Sequence, residues 1–219
     1  MPHAPIPVPQ VGGLRGEAAI ASCRAMRTAA VCVMRHTSES LVLISPHSPR
    51  QPNAFGLWAD NPLRGTFEEF FAPEVEVSLP FDRSLVQAIM AAARVRDLAT
   101  WPIHRHPLDH GAMVPLWFLI EAGWSVPTVI LSLNDPEADG LIALGEAIAT
   151  AAATVPHRIV LVASGDMSHR LTPGAPCGFH RVSRRNGLTI RSSNSFVPAN
   201  IARLEPSRQS CANARQKTQ

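Results

Sequence analysis

The sequence has no apolar run long enough to cross a bilayer, and no basic flank followed by an apolar core at its start. The first absence leaves out a transmembrane helix, and the second a secretory signal. It also has no paired Cys-x-x-Cys and no internal repeat. Four scattered cysteines, Cys23, Cys32, Cys177 and Cys211, make no disulfide framework and read as thiols of a reducing compartment. A cytoplasmic protein is the expectation. Acidic residues are nearly missing from one region: residues 181–219 carry 8 Lys+Arg against 1 Asp+Glu, whereas residues 1–180 carry 12 against 16. The net charge of +3 and the basic pI near 9.0 therefore belong to the last stretch, and do not make the body a nucleic-acid binder.

What is present is a globular composition, 46% apolar over 219 residues, enough for one α/β domain with a substantial core. Residues 2–13, rich in proline, read as an extended loop. Residues 14–35 read as a helix burying Leu14, Ala18, Ala21, Ala25, Ala29 and Cys32. Residues 40–45 (S-L-V-L-I-S) form the first clear strand, ended by Pro46-His47-Ser48-Pro49, and 48–73 read as a long loop. A half-exposed strand at 74–79 precedes a helix at 80–96 with Asp82 as its N-cap. His104, His106 and His110 fall in a proline-containing loop before an apolar helix at 113–122. A buried strand at 127–133, an alanine-rich helix at 136–154 and a strand at 158–163 complete the series. This alternation predicts a single α/β domain with a largely parallel or mixed central sheet flanked by helices. From Arg181 the apolar periodicity stops, and residues 181–219 read as a basic, disordered tail without the aromatic interleaving of a nucleic-acid arm.

The organising stretch is 158–170, R-I-V-L-V-A-S-G-D-M-S-H-R, an apolar run read as a strand buried on both faces and broken by Ser164-Gly165-Asp166, with His169 just beyond. Alone it reads more readily as an ordinary βα turn with an exposed histidine. His47, however, also follows the carboxyl end of a strand, and ligands of open α/β sheets gather at such ends. Right-handed crossovers place the two ends on one edge.

Four histidines sit in motifs with flanking Pro, Gly or Asp: His3 in P-H-A-P, His47 in I-S-P-H, His110 in L-D-H-G-A-M-V-P-L and His169 in A-S-G-D-M-S-H. In this order they resemble the class III extradiol ring-cleavage dioxygenase superfamily, closest to its Memo-like branch, that of the AmmeMemoRadiSam system. The resemblance runs from residue 2 to about His180. It implies a non-haem Fe(II) site, another divalent metal being possible, that opens a catechol-type aromatic with O₂. It makes His3 and His47 metal ligands, His169 the acid/base histidine and His110 a second histidine of the pocket. Asp109 and Asp166 either orient imidazoles or cap turns.

The family's third ligand, glutamate in dioxygenases and cysteine in part of the Memo branch, comes from a C-terminal segment. Glu205 and Cys211 exist in the tail, but nothing around them matches. Family members also carry a strand ahead of P-H-x-P, where this chain starts. The expectation is a domain over residues 1–180 incomplete at both ends, from a truncated or frameshifted reading frame, with His3 near a fraying terminus. Three readings stay open: a ring-cleaving dioxygenase, a Memo-like metal- or redox-linked protein, and a catalytically incomplete remnant. A homo-oligomer or a partner subunit stays open as well, as does whether a partner supplies the missing segment. His104 and His106 read as a solvated loop outside the site, and His36, His157 and His180 as surface or structural.

Overall fold

The computed structural model describes residues 1–133 and 140–165. Asp166, His169, Cys177, His180, Glu205 and Cys211, and the whole segment 181–219, lie outside the described residues. The described elements are helix α1 (Pro9–Gly12), a 3₁₀ turn (Gly13–Ala19), α2 (Ile20–Met34), β1 (Ser40–Ser45), β2 (Ala54–Trp58), β3 (Leu63–Phe67), a second 3₁₀ turn (Glu68–Phe70), β4 (Ala72–Leu79), α3 (Arg83–Arg94), β5 (Ala99–Ile103), α4 (His110–Glu121), β6 (Thr128–Ser132), α5 (Leu141–Thr154) and β7 (Ile159–Ala163).

Among the described residues, five strands form one sheet in the order β5-β2-β6-β1-β7, and β3 and β4 pair separately as an antiparallel ribbon. β1 runs parallel to both β6 and β7, with Leu43 opposite Ile130 on one side and Val162 on the other. β2 runs parallel to β5 but antiparallel to β6, so the sheet is mixed. The continuous apolar runs of β1 and β6 suit central strands covered on both faces. One face carries Leu41, Leu43, Ile130, Val160 and Val162 against α2, α4 and the β3–β4 ribbon. The other carries Val42, Phe55, Leu57, Val129 and Leu131 against α3 and α5. This is an α/β sandwich of the expected class.

Several local expectations are corrected. Among the described residues β7 lies at the end of the strand order, and its two faces differ: Val160 and Val162 are buried but Leu161 is 52% exposed, where burial on both faces was expected. Residues 2–13 include a short helix, α1, and the α-helix expected from residue 14 begins only at Ile20. Its buried stripe is Met26, Ala30 and Val33, and Leu14 is almost fully exposed. The stripe with the larger side chains removes more apolar area from water than the alanine stripe does. The expected loop 48–73 holds β2 and β3, and β5 forms in a stretch where no strand was expected. β3 alternates buried and exposed over L-R-G-T-F, a five-residue signal that Gly65 weakens. Asp82 caps α3 as expected, accepting from the Leu85 amide at 3.0 Å.

Candidate metal centre

Because β1 and β7 are adjacent and parallel, their carboxyl ends open on the same edge of the sheet. His47 follows β1 and Ser164 follows β7, with the Ser164 amide donating to the Ile44 carbonyl at 3.0 Å. The N-terminal residues lie along the same end. Met1 donates its amino group to the Ala163 carbonyl at 2.5 Å and accepts from the Gly165 amide at 3.1 Å. These bonds pin the segment that carries His3, whose side chain is buried at 3% exposure, so the expectation of a frayed position is corrected.

His110 comes from a different element. It is the first residue of α4, not a loop residue as expected. Asp109 is the N-cap, accepting from the Ala112 amide at 3.1 Å, and the helix starts there because the cap satisfies an otherwise orphan donor. The carboxylate does more than cap. It accepts the Ser45 hydroxyl on Oδ1 and the Ser48 hydroxyl on Oδ2, each at 2.6 Å. Ser48 in turn accepts from Trp58 Nε1 at 3.1 Å, and Ser45 Oγ accepts the His47 amide at 3.3 Å. Asp109 thus ties the start of α4 to both sides of His47 and sets His110 beside it.

The result is a cluster of three histidines. Their ligand atoms, one from each of His3, His47 and His110, all lie within 4.8 Å of one another. His3 Nε2 and His47 Nε2 are 3.0 Å apart. The rings stand 4.7 Å (His3–His47), 5.7 Å (His3–His110) and 4.2 Å (His47–His110) apart, centre to centre. Two nitrogens each about 2.1 Å from one ion at a right angle stand about 3.0 Å apart, so the first pair already has the spacing of adjacent positions on an octahedral ion. His3 is buried, His110 half-buried and His47 exposed, which leaves one side open toward solvent. Phe70 places its ring 5.4 Å from that of His110.

Other residues fall elsewhere. His104 pairs with Asp60 at 3.0 Å; that hydrogen bond, with one from the Arg105 amide, outweighs the opposing effect of burial and holds the Asp60 carboxyl below its ordinary value. His106 packs edge-on against Trp58. His36 is exposed, and His157 approaches Asp82 at 3.3 Å at the opposite end of β1. An open cleft of about 480 Å³, lined by Trp58, Arg64, Arg105 and His106 among others, contains none of the three clustered histidines. Ser45, Ser48, Phe70 and Ser164 escaped the sequence reading. The two serines flanking His47 carry the one usable signal, since hydroxyls at strand ends need acceptors.

The family model of the catalytic LigB subunit of aromatic ring-opening dioxygenase matches residues 1–182. Protein CA_C1420 of Clostridium acetobutylicum is 28% identical over 192 residues, which is 82% of this chain. The chain spans about 40% of that relative's length.

Proposed function

Because the chain belongs to the family of the catalytic LigB subunit of aromatic ring-opening dioxygenases, we propose that His3, His47 and His110 hold a divalent metal, Fe(II) in the working protein, and that the protein opens a catechol-type ring with O₂. The observation that carries this reading is the 3.0 Å approach of His3 Nε2 to His47 Nε2, with a third histidine donor within reach. Bound iron would supply Lewis acidity and exchange electrons with O₂ at positions the protein leaves open.

The chain's own groups do the positioning. Asp109 fixes the start of α4, and with it the direction of His110. Ser45 and Ser48 hold the turn that carries His47. The Phe70 ring supplies an apolar wall beside His110 against which a flat aromatic can lie. His169, which the motif match makes the acid/base histidine, would take and return the proton of the ring hydroxyl.

A Memo-like role is the second reading. It is favoured by the clustered donors among the described residues, which are three histidines and no carboxylate, whereas the two-His-one-carboxylate set marks iron oxygenases. The test is anaerobic reconstitution with Fe(II), then addition of catechol or protocatechuate with O₂. Oxygen uptake with a yellow ring-opened product, lost in His47→Ala, is the result expected. Bound metal without uptake on either catechol moves the protein to the Memo-like reading. Failure to bind any divalent metal makes it a remnant.

A further inference from the structure

We infer that Ser164 is a positioning residue that fixes the tautomer of His3, and that Pro115 dictates its orientation. The inference rests on the reading of the histidine cluster as a metal site. It begins with a proline inside a helix. Pro115 lies within α4 and has no N–H, so the carbonyl four residues earlier, that of Gly111, loses its helical donor. The Ser164 hydroxyl takes that place, donating to the Gly111 carbonyl at 2.5 Å.

A serine hydroxyl has one proton to give. With it committed to Gly111, Ser164 Oγ meets His3 Nδ1, 3.1 Å away, as an acceptor. His3 therefore carries its proton on Nδ1, and its lone pair sits on Nε2. Nε2 is the atom that faces His47 Nε2 at 3.0 Å. A ring in the other tautomer would turn an N–H toward the site and could not bind metal there without moving its proton. In the metal-free protein the hydrogen bond between the two rings then runs from His47 Nε2–H to His3 Nε2. When a cation enters, it is His47, the exposed ring of the pair, that changes tautomer, losing the Nε2 proton to solvent and taking one up on Nδ1, and buried His3 needs no rearrangement. The same hydroxyl joins two chain segments of the cluster: the His3 segment, and the first turn of α4 behind His110.

The test reads the tautomer directly. Long-range ¹H–¹⁵N NMR of protein labelled at histidine, recorded metal-free, should show His3 protonated at Nδ1. Ser164→Ala should give mixed tautomers and weaken Co(II) binding about 10–100-fold, the usual cost of losing a group that orients a ligand. Ser164→Thr, which keeps the hydroxyl, should preserve both. Pro115→Ala returns an N–H to the helix, frees the Ser164 proton and should mix the tautomers with the serine still present. Wild-type His3 protonated at Nε2 would overturn the inference, as would a Ser164→Ala protein with unchanged tautomer and affinity. If Ser164→Ala does not fold, the wild-type and Pro115→Ala spectra decide. A wild-type protein that binds no Co(II) sinks the metal reading alone, because the spectra need no metal.

Discussion

Gly111 leaves the space that His47 occupies. A Cβ at position 111 would stand 3.1 Å from His47 Cδ2, 2.5 Å from Ser45 Oγ and 2.8 Å from Asp109 Oδ1. Helix α4 can start this close to the end of β1 only because its second residue has no side chain. In an open helix, glycine to alanine stabilises by roughly 0.5–1 kcal/mol. At Gly111 the overlap with three atoms of the site reverses the sign, since overpacking costs about 1–3 kcal/mol. Gly145, inside α5 with no atom of another described segment within 4 Å of its missing Cβ, is the internal control. Urea denaturation should find Gly111→Ala destabilised and Gly145→Ala slightly stabilised. Equal effects from the two would show that Gly111 is not spatially required.

Asp109 is bonded on both oxygens by buried serines, in addition to capping the helix. Asp109→Ala removes a cap worth about 1 kcal/mol and leaves two hydroxyls without their acceptor, for a loss on the order of 3 kcal/mol. Asp109→Asn keeps the cap but turns an N–H₂ toward one serine, so its loss should be about half as large. Both variants should also weaken metal binding, because each loosens His47 and His110 together. A loss of only the capping increment in Asp109→Ala would show that the serine bonds contribute little.

The strands most legible in the sequence were those buried by continuous apolar runs. Residues 40–45 read correctly to the residue, and 127–133 came within one residue of β6 at each end. β2, β3 and β5 are five residues each and carry Gly56, Gly65 or Pro102, so their local signal is that of turns, and pairing partners far along the chain decide their state. At the site, a strand end and a short motif pointed to His47, and short motifs alone to His3 and His110. The place of His110 beside them was invisible to periodicity, because it depends on where α4 begins. That start is set by Asp109, whose partners Ser45 and Ser48 lie 64 and 61 residues earlier.

Asp82 sets an acid limit on the fold. Burial alone would raise its carboxyl, but bonds from Ser40, the Leu85 amide and Ser84, with His157 nearby, outweigh burial and hold it below the ordinary 3.8. A carboxyl depressed in the folded state adds stability that is fully present above the unfolded value and fades as pH falls through the folded one. The contribution should therefore be intact near neutrality and disappear below about pH 4. Asp82→Asn should be less stable than wild type at pH 7 and show a shallower loss on acidification. Parallel denaturation curves for the two proteins from pH 7 to pH 3 would contradict this.

Metal binding by single-histidine variants assigns the third donor. Metal binding to the folded state alone raises stability by about 2.7 kcal/mol at a hundredfold excess over Kd, which for a domain of this size corresponds to roughly 5–10 °C in Tm. Zn(II) or Co(II) should produce such a rise, because the ion links the N-terminal segment, the turn after β1 and the start of α4. His3→Ala and His47→Ala each remove one of the two nitrogens that stand 3.0 Å apart, and should abolish the shift. His110→Ala is the informative variant. With His110 as the third protein ligand, affinity should fall by at least the ~10–100-fold seen when an orienting group is lost. With the third ligand supplied from beyond residue 165, His110→Ala should leave affinity nearly unchanged while lowering any catechol turnover. His104→Ala and His106→Ala should change neither quantity, since the first pairs with Asp60 and the second packs on Trp58, away from the cluster. Loss of metal binding in either of those two controls would mean that the ion sits in the His104–His106 loop and that the cluster of three is a hydrogen-bonded knot of histidines instead.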